Sequence, residues 1–91
     1  MPSYLVETYL ARCHAGERAA SEARARSAAD ELTRAGTCVR FDGVIHVPED
    51  ELCFFTFDAP SRREALLAAQ RAGIEALRVV EAAWSREEKG A

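Results

Sequence analysis

Cysteine is scarce in this chain. Of its 91 residues three are cysteines, Cys13, Cys38 and Cys53, an odd count with no Cys-x-x-Cys spacing. A disulfide framework is not built that way, and the plain expectation is a reduced, cytoplasmic protein with small buried thiols. Long apolar runs are also missing. None approaches the ~20 residues of a membrane span. The opening Met1-Pro2-Ser3-Tyr4 has neither the charged nor the apolar region of a secretory signal, so no membrane partner is expected. Positive charge is in short supply as well. The net charge is −3 and the arginines are scattered among acids, as Arg24 and Arg26 are beside Glu22 and Asp30. No basic stripe alternates with aromatics, which excludes a phosphate-backbone binder and with it nucleic acid. No nucleophile elbow, phosphate loop or catalytic triad is present.

What remains is an ordinary globular composition, 48% apolar and 30% charged. That is enough for one domain, which would bury roughly two-thirds of its unfolded surface. The domain is expected over residues 1–85, with 86–91 as a frayed charged tail.

Ser3 to Leu10 alternates and is rich in β-branched and aromatic residues, a first strand. Its Tyr4, Val6 and Thr8 face one way and Leu5, Glu7 and Tyr9 the other. Glu17 to Ala35 has no Pro or Gly and sets Ser21, Ala25, Ala28, Ala29, Leu32 and Ala35 on one helical face, with Gly36 as its stop. Thr37 to Val47 alternates again, and Gly43 inside it predicts a bulge that swaps faces beyond it. A turn at Val47-Pro48-Glu49-Asp50 leads into a third strand, Glu51 to Asp58, apolar on both sides. Such a strand is covered on both faces.

Ser61-Arg62-Arg63-Glu64 reads as a capping box opening a second helix to Ala72, with Ala65, Leu66, Ala69 and Ala72 inward. Gly73 and Ile74 close it. Leu77 to Ser85 is a fourth strand. The order βαββαβ is the α+β ferredoxin-like arrangement: a four-stranded antiparallel sheet, two helices on one face, strands 1 and 3 central.

Met1-Pro2-Ser3-Tyr4-Leu5-Val6-Glu7, Phe57-Asp58-Ala59-Pro60-Ser61 and Arg71-Ala72-Gly73-Ile74 leading to Arg78-Val79-Val80-Glu81 resemble the small nickel-binding ferredoxin-like proteins. The resemblance spans about residues 1–83. It implies a homodimer with paired sheets facing each other, and nickel as the one cofactor it suggests. Nickel-binding members carry histidine at the end of strand 1, in an Asp-Val-His-like run. Here the stretch is Leu5-Val6-Glu7-Thr8-Tyr9, so nickel is not simply inherited.

The candidate ligand-binding residues are Glu7, Tyr9, His46 and Glu81. Glu7 is a charge in mid-strand, so it is either paired, with Arg40 or Arg78, or a ligand-contacting carboxylate. Strand 4 neighbours strand 1, so Glu81 could share a face with Glu7. His46 reads as an exposed edge-strand residue or as a ligand. Metal candidates are His46, His14 and Glu7. Cys13 and His14 look soft, but adjacent residues on an extended chain point apart. Tyr9, Phe54 and Trp84 line either an apolar pocket or a core or interface. The expected function is a small dimeric binding protein for a metal or small molecule at the sheet face. The alternative is a cofactor-independent monooxygenase, isomerase or cyclase on the same fold, with an interaction domain as a third reading.

Overall fold

A computed structural model describes residues 1–83 of the chain. Four strands, β1 (Ser3–Tyr9), β2 (Arg40–Val47), β3 (Leu52–Asp58) and β4 (Arg78–Ala82), alternate with helices α1 (Arg18–Arg34) and α2 (Arg62–Arg71). The sheet is antiparallel throughout in the order β2-β3-β1-β4. This is the ferredoxin-like α+β fold, with β1 and β3 central. The proposed tail and the end of the fourth strand, including Trp84 and Ser85, lie outside the described residues.

The two layers divide the work unevenly. The helices bury Ala25, Ala28, Ala29 and Leu32 from α1 and Ala65, Ala68 and Ala69 from α2. The sheet supplies the bulk: Tyr4 and Val6 from β1, Cys53, Phe55 and Phe57 from β3. Because an alanine reaches only one carbon from the backbone, these helix faces lie close on the sheet. Burying each of the large sheet residues is worth roughly 1.5–3 kcal/mol. Phe41 packs at a tilt against Phe55 and Phe57, with ring centres at 6.3 and 5.5 Å, and the Arg26 guanidinium sits 5.4 Å from its ring. That contact seals the β2 edge of the core.

Both helices stop in the same way. Gly36 and Gly73 adopt left-handed φ of 103° and 75°. The following amides, of Thr37 and Ile74, donate back to Leu32 and Ala69 oxygens at 2.8 and 2.9 Å. Ile74 is then carried into the core, as a hydrophobic cap contact requires. The start of α2 departs from expectation. Ser61 is extended and stands at the cap position, but its hydroxyl donates to the Glu64 carboxylate and accepts from no helical amide. The side-chain pair occupies both ends of the capping box, so the amides go without it. Arg12–Glu17, between β1 and α1, winds into a 3-10 turn. The β2–β3 link is a 3-10 turn at Pro48–Asp50 followed by left-handed Glu51.

The bulge is where Gly43 places it. Register shifts between Phe41 and Gly43, so Phe41 and Val44 both face the helices. Beyond the bulge His46 follows them inward while Ile45 and Val47 turn to the open face.

Because α2 buries only alanines against the sheet, Ala69→Leu should cost about 1–3 kcal/mol by overpacking. Urea denaturation of the two proteins measures it. Ser61→Ala should cost less than the ~1 kcal/mol of a working cap.

Candidate functional site

The register of the four strands decides which candidate residues can meet. Residues directly opposite each other on antiparallel strands share a face. Glu7 stands opposite Phe54 and Arg78, and Tyr9 opposite Leu52; both point to the open face, away from the helices. Glu81 stands opposite Tyr4, a buried core residue on the helix side. Glu7 and Glu81 therefore lie on opposite faces, and the shared carboxylate face expected from strand adjacency does not exist. Adjacency was right; the offset of β4 was an odd number of residues from what sharing needs.

His46 is opposite Cys53 and lies on the helix side too. The expectation of an exposed edge residue is corrected by the bulge, which rotates His46 inward. Its Nε2 is enclosed and has no hydrogen-bond partner among the described residues. Cys53 is fully buried, and burial pushes its thiol above its ordinary value. His14 is exposed in the 3-10 turn, its Nδ1 3.4 Å from a Glu17 oxygen. So the three metal candidates are scattered: Glu7 on the open face, His46 under the helices, His14 in a surface turn. Among the described residues no three His, Cys, Asp or Glu side chains gather to hold a metal ion.

Glu7 has its partner. Arg78 Nε stands 3.6 Å from Glu7 Oε1, the alternative in which a mid-strand charge is paired. Around that pair the open face carries Leu5, Ile45, Phe54 and Val80, apolar and only partly covered.

The sequence reading missed a second cluster on this same face. Where β1 begins and β3 ends, a concavity of about 570 Å³ opens between Ser3, Arg40, Asp42, Thr56 and Asp58. Asp58 is nearly buried and both its oxygens are engaged. Ser3 Oγ donates to one at 2.6 Å and an Arg40 terminal nitrogen to the other at 2.6 Å. Arg40 Nε donates to Asp42 Oδ1 at 3.0 Å. One guanidinium thus bridges two carboxyls. Burial pushes Asp42 up, and its hydrogen bond to Asp58 and the Asp58 charge push it further, against the pull of Arg40. Burial acts upward on Asp58 as well, but the hydrogen bonds from Ser3, Asp42 and Arg40 outweigh it and hold the carboxyl below its ordinary value. Two like-charged groups in one site have separated into an anchored carboxylate and one that keeps its proton longer. The signal that could have found them was the acid at each end of an apolar run: Asp58 closing β3 and Asp42 beside the bulge glycine.

No family model matches the chain, and no curated protein does. Among solved structures it is similar to the SCO4226 protein of Streptomyces coelicolor A3(2), with a TM-score of 0.75 over 92% of this chain and 99% of that one, at 13% sequence identity. The likeness is one of fold. No helix among the described residues is long and apolar enough to cross a membrane.

Two opposite pH effects follow. Asp58, held below its unfolded value, contributes stability above that value and loses it as pH falls through the depressed pKa. Asp42, raised, contributes stability below its unfolded value and loses it as pH rises through the raised pKa. Asp42→Asn should remove the second and shift the first, because the hydrogen bond from Asp42 is one of those that hold Asp58 down. Asp58→Asn should cost about 1–3 kcal/mol, because Arg40 and Ser3 lose a charged acceptor. Chemical denaturation across the acid range separates the two. Glu7→Gln should cost no more than ~1 kcal/mol, since Arg78 is largely in water.

Proposed function

We propose that this protein is a small dimeric binding protein of the nickel-binding ferredoxin-like type, which pairs through its open sheet face and holds a small molecule there. The observation that carries the reading is a face with two characters. Its centre is apolar, with Leu5, Ile45, Phe54 and Val80. Ile45 is 49% exposed in the single chain. One end is the polar concavity of Ser3, Arg40, Asp42, Thr56 and Asp58. An apolar sheet face of this kind left in water is costly, at roughly 25 cal/mol per Å², and a second copy of the same face covers it with two-fold symmetry. The polar end then lies at the rim of the pairing, where a ligand has access.

The support for nickel is the sequence resemblance alone. Glu7, His14 and His46 do not converge, so a small organic ligand fits the arrangement better than a metal.

A second reading, a cofactor-independent enzyme (monooxygenase, isomerase or cyclase), is favoured by one feature. Asp42 is raised and Asp58 lowered, the division of labour that acid–base chemistry uses. Cytoplasmic residence accords with either reading.

Light scattering at micromolar concentration should give twice the mass of one chain, and Ile45→Glu should shift the protein to monomer. A wild-type monomer would overturn the pairing. Titration calorimetry with Ni²⁺ tests the metal: binding tighter than roughly millimolar, ~4 kcal/mol, would restore nickel in place of the organic ligand.

A further inference from the structure

We infer that His46 and Cys53, facing each other on the helix side of the sheet, hold a copper(I) ion between the imidazole Nε2 and the thiolate sulfur. The site lies on the other side of the sheet from the open face and does not depend on what that face binds.

Strand register sets His46 directly opposite Cys53, on the side that Phe55 and Phe57 turn to the helices. Side chains so placed start from Cβ atoms about 4.5–5.5 Å apart. The Nε2 atom is enclosed by protein and has no hydrogen-bond partner among the described residues. That is costly for an imidazole nitrogen in either tautomer, as an N–H or as a lone pair. An ion that takes the lone pair removes the cost. Cys53 is fully buried beside it and forms no disulfide. Metal bonds of about 2.0 Å to nitrogen and 2.3 Å to sulfur seat an ion in a gap of roughly 4 Å, the scale on which opposite side chains meet.

The number of ligands selects the ion. Among the described residues no third His, Cys, Asp or Glu joins the pair to form a metal-binding group. Zinc in a closed site takes four ligands, and nickel(II) a square-planar or tetragonal set. Copper(I) is soft, suits thiolate and imidazole, and accepts two ligands in line.

Charge selects it again. Binding breaks the S–H bond, forms the S–Cu and N–Cu bonds and sends the proton to water; the copper stays monovalent throughout. A copper(I) thiolate with a neutral imidazole is uncharged, as the free pair was, so no net charge is buried. A divalent ion would leave a positive charge there. Arg18 and Glu22 of α1 act on the thiol with opposite signs, so the helix above offers no excess negative charge to offset it. A cavity of about 210 Å³ between Thr8, Ser21, Phe55 and Ile74 has Cys53 in its wall and is the way in.

The test is anaerobic competition for copper(I) against bicinchoninate. The full chain carries Cys13→Ser and Cys38→Ser, so that these exposed thiols do not compete. The expected result is a single copper(I) withdrawn per chain. Cys53→Ala on that background should abolish it. His46→Leu should weaken it by roughly tenfold or more, at least what losing an outer partner of a metal ligand costs. Zinc and nickel(II) at equal concentration should not displace the copper. In the isotope-labelled wild-type chain the Nε2 resonance of His46 should move on copper(I) addition, a readout that needs no variant to fold. No copper withdrawn, full affinity in His46→Leu, displacement by zinc or nickel(II), or an unmoved His46 ring would each overturn the site.

Discussion

The close approach of alanine-faced helices to an aromatic sheet is the constraint on which the rest of this molecule depends. Neither helix brings a large side chain to the core except Leu32. Much of the volume therefore comes from Tyr4, Val6, Phe55 and Phe57 across the gap, and those residues are placed by strand register. Register in turn fixes which residues remain for the other face. The polar concavity, the Glu7–Arg78 pair and the apolar patch between them are the complement of the helix-side set. They are where they are because the core took the alternate positions.

Much of this was legible in the chain. Period-two alternation in Ser3 to Leu10 assigns Val6 to the helices and Glu7 to the open side, and the structure agrees. The two glycine stops, the bulge at Gly43 and the central position of β1 and β3 could all be read in the same way, because each is decided locally or by handedness. What could not be read is pairing offset. Nothing near Glu81 says whether it meets Tyr4 or a neighbour one residue along, and that single unit decides its face. His46 turns inward for a related reason. The bulge at Gly43 is a local feature, but the change of face it imposes reaches a residue three positions later.

The carboxyl cluster was invisible for a different reason. Ser3, Arg40, Asp42 and Asp58 come from three strands, and no two of them form a recognisable motif. Asp58 lies within a stretch that resembles a family pattern, where it would pass as a strand terminus. Its chemistry arises only when β2 and β1 flank β3 and bring a guanidinium and a hydroxyl to its two oxygens. A site assembled across a sheet end in this way carries its meaning in the assembly.

The bulge in β2 has a consequence for how such a protein can change over time. Point substitutions alter one side chain at a time, and the face it presents stays fixed. Gain or loss of one residue at Asp42-Gly43 would invert every later position of the strand at once, exchanging Ile45 and Val47 for Val44 and His46. The outer surface of the β2 edge is therefore a two-position dial set by chain length. Relatives that differ by one residue there would present different chemistries on the same scaffold while leaving the opposite half of the sheet untouched.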